Sequence, residues 1–172
     1  GKIMIDGIDI SRVGLETLRS KIAVIPQDPV LFSGTVRSNI DPFGSYNEQR
    51  LYDVLDRVGL YNDENSPIVS LDDEVNEGGS NYSVGQRQLL VIARALLVES
   101  KVVIMDEATA SIDNTTDARI QKVMRSDFEK ATCITIAHRL NTIMDSDYIL
   151  VMDDGTVAEF GPPSSLLDGG GM

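Results

Sequence analysis

The spacing of hydrophobic and polar positions along this chain switches between two periods. Short β-branched runs occur at Ile22–Ile25, Val102–Met105 and Cys133–Ile136, with helical patterns between them. That alternation predicts an α/β layered fold. Each run is continuously apolar, as strands of a parallel sheet are when both faces are covered. Towards the end, Tyr148–Met152 and Thr156–Phe160 flank Asp153-Asp154-Gly155, and the Asp-Gly step predicts a hairpin turn. Near the beginning, Lys2–Ile5 followed by Asp6-Gly7 reads as a strand and its turn. The stretch from Gly161-Pro162-Pro163 to Gly169-Gly170-Gly171 reads as a turn and a loose tail.

Between Thr35 and Val98 the pattern is mostly helical. Asn47 is placed to cap a helix that buries Leu51, Val54, Leu55 and Val58 and stops at Gly59. Ser83 opens a second helix, rich in Leu and Ala, that runs to about Val98. Its apolar stretch from Leu89 to Val98 is interrupted by Arg94 and reads as a buried helix. A later helix carries Ile120, Val123, Met124 and Phe128 at helical spacing. No internal repeat and no coiled-coil heptad is present.

Composition narrows the function classes. The 172 residues are 42% hydrophobic, enough for a packed core. Aromatic residues are only 5% and Trp is absent, so that core is mainly aliphatic. With 27 acidic against 15 basic residues the formal net charge is −12. That balance argues against a nucleic-acid partner, which needs clustered Lys and Arg, and against adsorption to anionic lipid. A lone cysteine, Cys133, cannot form an internal disulfide and fits a reducing compartment. No run of about 18 apolar residues predicts a membrane span. No signal peptide is evident and the sequence begins at Gly1, so the expectation is that it starts inside a domain.

Four pieces carry candidate chemistry. Val102-Val103-Ile104-Met105-Asp106-Glu107 is an apolar strand ending in two carboxylates, at the sheet edge where α/β proteins bind ligands. Asp106 suits a Mg²⁺ site as a carboxylate reaching the ion through bound water, since Mg²⁺ keeps several waters and takes few carboxylates. Glu107 would then face an attacking water as general base. The same pattern also describes a buried strand ending in a solvated acidic turn. Ser83-Val84-Gly85-Gln86 brings a hydroxyl, a glycine N–H and the positive end of a helix together as an anion site; an ordinary capped helix start reads the same. His138, the single histidine, follows the run Cys133–Ile136 and can face a terminal phosphate, or be a plain surface or core residue. Gln27, also just past a strand, can complete a metal shell through its amide oxygen.

In order, Gln27, Tyr82-Ser83-Val84-Gly85-Gln86, Val103-Ile104-Met105-Asp106-Glu107, Ala110-Ser111-Ile112-Asp113 and His138 resemble the nucleotide-binding domains of ABC transporters. The resemblance covers essentially the whole chain, 1–172. It implies a P-loop NTPase-like ABC ATPase fold: a RecA-like mixed sheet core with an inserted helical subdomain at about residues 39–98. It also implies that the pieces are the Q-loop, the signature motif, the Walker B strand with its catalytic Glu107, the D-loop with Asp113 and the switch His138. By the same resemblance Asp106 and Gln27 serve Mg²⁺, Glu107 polarises water and His138 contacts the γ-phosphate of ATP. Ser83, Gly85 and Gln86 would close over ATP held by a second nucleotide-binding domain in a head-to-tail pair. Gln27 would couple the site to transmembrane domains of the same parent chain, at the cytoplasmic face of a membrane.

Finer wording is similar to one subfamily. Phe32-Ser33-Gly34-Thr35-Val36-Arg37-Ser38-Asn39-Ile40-Asp41-Pro42-Phe43, Ser83-Val84-Gly85-Gln86-Arg87-Gln88 and Ser111-Ile112-Asp113-Asn114-Thr115-Thr116-Asp117 resemble the second domain of multidrug-resistance-protein-like transporters, subfamily C. That implies an ATPase powering export of organic substrates, or, by likeness to channel-type relatives, a nucleotide-sensing regulatory module. Two departures matter. The glycine-rich loop ending in Gly-Lys-Ser/Thr, the Walker A part, is absent, and Gly1-Lys2-Ile3 is not that motif. Without that cradle the chain alone is expected neither to bind nor to hydrolyse ATP, although its parent does. In the signature, Tyr82 stands where Leu is usual and Val84 where Gly is usual, and a β-branched side chain limits close approach of backbone to phosphate. The implied dimer is asymmetric, with one strongly hydrolytic site and one mainly binding site.

Overall fold

The computed structural model describes residues 1–62, 66–106, 112–137 and 143–168. They form two compact units, Gly1–Ile134 and Thr135–Met172.

The first unit is organised by a parallel ladder. Strand β3 (Ile22–Ile25) pairs with β6 (Val102–Asp106) in the register Ile22↔Val102 to Ile25↔Met105, and β7 (Thr132–Ile136) is the third strand, in the order β3-β6-β7. Helix α4 (Val84–Val98) lies against it and buries Leu89, Leu90, Ile92 and Leu97. Its capping box joins Ser83 and Gln86, and its helix-favouring Gln, Arg, Leu and Ala residues keep the propensity cost low. Ala23, Ile25, Val103 and Met105 face this core. The alternate positions of the β3–β6 pair are less covered among the described residues: Val24 is 59% exposed, and Ile22 and Ile104 are part-buried. Coverage on both faces, expected from the continuous apolar runs, is therefore only partly met among them, because the described helices α4 and α5 pack with the buried alternate positions.

The segment before α4 is helical where expected and looped elsewhere. Helix α2 (Val36–Ile40) has a capping box of Thr35 with Ser38. Helix α3 (Glu48–Arg57) is capped by Asn47, whose Oδ1 accepts from Arg50 N–H at 2.9 Å, and it ends before Gly59 at φ 70°. Residues 66–82, expected to be part of a mostly helical stretch, hold no α-helix, only a single 3-10 turn at Glu77–Gly79. The Asp73 carboxylate accepts from Val69 N–H at 2.7 Å and Ser70 N–H at 3.0 Å, and Asn81 bridges Asn76 and Glu74. Such side chains satisfy the backbone in place of a helix. A short antiparallel ladder, β4 (Gly34–Thr35) with β5 (Glu74–Val75), closes this loop against α2. Helix α5 (Asn114–Asp127) buries Ile120, Val123 and Met124, and Phe128 behind it is also buried. It is joined to the α3 region by an Arg57–Asp127 ion pair and by Arg119, which donates to the Gly59 carbonyl at 2.5 Å.

Short pieces begin and end the chain. Strands β1 (Met4–Ile5) and β2 (Ile8–Asp9) form a hairpin over Asp6 and Gly7, both at positive φ, followed by helix α1 (Leu15–Arg19). In the second unit β8 (Ile149–Asp153) and β9 (Thr156–Gly161) pair antiparallel around Asp154 (φ 44°) and Gly155 (φ 73°). Positive φ at both central residues is the twist-compatible turn that Asp-Gly favours. Tyr148 and Phe160 stack at 5.5 Å. Within the turn and loose tail expected from Gly161 onward, Pro163–Asp168 form a helix, α6, and Gly169-Gly170-Gly171 lie outside the described residues. Proline is tolerated there because a first-turn N–H has no intrahelical acceptor.

Asn39 is the polar anchor of the first unit. It is 2% exposed; its Oδ1 accepts from Phe32 N–H at 2.9 Å, and its Nδ2 donates to the carbonyls of Phe32 (2.8 Å) and Thr35 (3.0 Å). Asn39→Ala strands those groups, so it is predicted to cost about 2–3 kcal/mol, read as a fall in the urea midpoint at constant slope.

Candidate functional site

The ladder register brings two predicted residues to one edge. Ile25 pairs with Met105 in a parallel sheet, so Gln27, two residues on, and Asp106, the next residue, leave β3 and β6 at the same C-terminal end. Both side chains are exposed. Among the described residues neither carries a hydrogen bond or ion pair that would commit its oxygen elsewhere. No cluster of three or more His, Cys, Asp or Glu side chains occurs among the described residues. A carboxylate and an amide at one sheet edge are oxygen donors of the kind Mg²⁺ takes, the rest of its shell being water and phosphate oxygens. Glu107, His138, Ala110 and Ser111 lie outside the described residues.

The second element is the start of α4. Ser83 is exposed; its Oγ accepts from Gln86 N–H at 3.2 Å, and Ser83 N–H donates to Gln86 Oε1 at 2.9 Å. A hydroxyl that accepts one bond still has its own proton to donate. The first-turn N–H groups of Val84 and Gly85 lack intrahelical acceptors, as at any helix start. Ser83 is thus arranged as an anion donor, and Gln86 commits its Oε1 to the cap while its Nε2 hydrogens remain for donation. The Val84 side chain is 37% exposed beside Ser83.

Gly85 and Asp113 have structural duties that the sequence did not disclose. A Cβ on Gly85 would stand 2.6 Å from Thr116 Cγ2 and 3.2 Å from Ile112 Cγ2. The missing side chain therefore lets the N-termini of α4 and α5 meet. Asp113 caps α5, its Oδ1 accepting from Thr115 N–H (3.1 Å) and Thr116 N–H (3.0 Å). Hydrogen bonds from Thr116, then Thr115, hold its carboxyl below the usual carboxylate range. The predicted D-loop and signature residues are in this way packed side by side.

One residue near the site was missed. Gln88, five residues after Ser83, is fully buried and its Nε2 donates to the Pro26 carbonyl at 3.2 Å, next to Gln27. In the sequence it follows Gln86 and Arg87 as one more polar residue at the start of the helix, so no local signal marks it as buried.

With this geometry in view, the comparisons identify the class. A family model described as ABC transporter matches residues 1–110, so the chain belongs to the ABC transporter family. Within that family it is similar to subfamily C. It is 52% identical over 172 residues to mouse "ATP-binding cassette sub-family C member 3", covering 100% of this chain and 11% of that protein. It is 50% identical over 168 residues to Arabidopsis thaliana "ABC transporter C family member 5", covering 98% and 11%. The structure of a bacterial Atm1-family ABC exporter with ATP bound superimposes with a TM-score of 0.87 at 36% identity, covering 100% of this chain and 30% of that one. The fold is that of an ABC ATPase. The chain spans about a tenth of the length of the curated relatives it matches.

Gly85→Ala is predicted to lower stability by about 1–3 kcal/mol through overpacking. Thr116→Ser, which removes the nearest methyl, should recover part of that loss in the double variant. Urea unfolding of the four combinations checks it; equal losses with and without the Thr116 methyl would contradict the packing role.

Proposed function

We propose that this chain is the larger part of an ATP-binding and ATP-hydrolysing module of an ABC transporter that couples hydrolysis to export of organic substrates. The observation that supports it most is the common sheet edge shared by Gln27 and Asp106, with the exposed, capped Ser83 opening α4. On this reading the helical subdomain is about residues 39–98 and the catalytic core lies on either side.

Asp106 and Gln27 would hold Mg²⁺, which when bound neutralises charge on the phosphates. Glu107 takes a proton from the attacking water, and His138 donates to the γ-phosphate in a largely positioning and electrostatic catalysis. Ser83 Oγ–H, the Gly85 N–H and Gln86 present donors to ATP held by a second nucleotide-binding domain in a head-to-tail pair, with Asp113 fixing the neighbouring helix start. These 172 residues contain no glycine-rich loop ending in Gly-Lys-Ser/Thr. By themselves they therefore do not cradle the β- and γ-phosphates. No helix among the described residues is long and apolar enough to cross a membrane; the transmembrane domains belong to the parent chain, and the module sits at the cytoplasmic face.

Glu107→Gln in the intact parent is predicted to retain ATP binding while steady-state hydrolysis falls by about 10²–10⁴-fold, the usual worth of a general base. Phosphate release and nucleotide retention measured on the purified parent decide it. Wild-type turnover in that variant would overturn the role given to Glu107.

A further inference from the structure

Gln88 is buried at a cost that stability alone does not explain. It is 0% exposed on α4, just before the apolar run Leu89–Ala93. Its Nε2 makes one hydrogen bond, to the Pro26 carbonyl at 3.2 Å, while its Oε1 is buried with no partner. The amide orientation is fixed by that contact, since the flipped form would set two oxygens against each other. A buried acceptor left unmatched is unfavourable, and an apolar side chain of the same shape would be neutral or better.

What the amide does achieve is a connection. Ile25 is the last β3 residue in the ladder register, and the Pro26 carbonyl is the main-chain acceptor immediately before Gln27. Proline has a fixed φ, so anchoring its carbonyl restricts the direction in which the chain leaves towards Gln27. Gln88 stands about one and a half turns after Ser83 on one continuous helix. We propose that Gln88 is a positioning residue: it ties the backbone of the Gln27 loop to the helix that starts at Ser83. The metal-side residue of one nucleotide site and the closing residue of the opposite site then shift together. The unmatched Oε1 leaves the amide able to accept a main-chain N–H when the Gln27 loop changes conformation. This inference rests on the function proposed above.

The test uses the intact parent, purified with its membrane domains, and measures kcat and KM for ATP together with the thermal midpoint. Gln88→Met keeps the volume and removes both polar ends. Expected are a kcat lowered about fivefold, roughly the worth of one hydrogen bond, a KM within twofold and an unchanged or higher midpoint. In a Gln27→Ala background the same change should lower kcat by less than twofold, because the tie then holds nothing of use. Unaltered kcat in Gln88→Met, or the same fold-loss in both backgrounds, overturns the inference. So does a lowered midpoint accompanied by a matching loss of active protein, which marks a plain packing role. If Gln88→Met does not fold, Gln88→Asn, too short to reach Pro26, is read through the same cycle. A wild-type parent that fails to hydrolyse ATP, or a Gln27→Ala variant with full activity, would defeat the underlying functional reading instead.

Discussion

The apolar contact between α4 and the β3–β6 ladder orients both ends of the candidate site. On the β3 side α4 presents Val91, Ala95 and Val98 to Ile22 and Ala23, and Leu90, Ile92 and Leu97 on the helix lie in the same water-free core as Ile25 and Val103 on the strands. Each such side chain is worth about 1.5–3 kcal/mol on burial, against about 1 kcal/mol for a helix cap. Packing therefore decides where the helix lies, and the cap decides where it begins. Because α4 begins at Ser83, β3 leads through Pro26 to Gln27 and β6 ends at Asp106, one packed core sets these three residues in a common frame. The ion pair of Arg57 with Asp127 and the Arg119 bond to Gly59 add a second connection, between α3 and α5.

Close approach is the second constraint. Gly85 has no space for a side chain because Thr116 and Ile112 occupy it. A glycine in the signature is readily taken as a means of exposing backbone to phosphate. Here it also lets two helix starts touch, so a change at this position would mix a binding effect with a packing effect. Val84, by contrast, has room and is partly exposed beside Ser83, which is where added bulk would meet an incoming phosphate.

The parts governed by local chemistry were legible in the sequence. Ser83 marks the start of α4, Asn47 that of α3, and Asp154-Gly155 a hairpin, while Asp6-Gly7 reads only as a strand and its turn and proves to be a second hairpin. The order of the motifs along the chain resembles the family to which it belongs. What escaped notice depends on contacts distant in sequence. The bond from Gln88 to Pro26 spans 62 positions, and nothing in the local pattern separates that amide from any polar residue on a helix. The exposure of Val24 is not legible because a continuous apolar run specifies strand character but not which layers cover it. Helix α6 is short and opens with Pro163, a residue that a helix tolerates in its first turn and that local pattern alone does not distinguish from a turn.

The central claim is that Ser83 of this chain and the Gln27–Asp106 edge serve two different nucleotides in a head-to-tail pair. The most direct measurement is a cryo-electron microscopy structure of the parent with ATP and Mg²⁺, hydrolysis being blocked by Glu107→Gln. The account predicts Ser83 Oγ within hydrogen-bond distance of the γ-phosphate of the ATP held by the other domain, with Asp106 and Gln27 beside the Mg²⁺ of their own. A closed dimer in which Ser83 contacts no nucleotide, or in which Asp106 faces away from the metal, would contradict it.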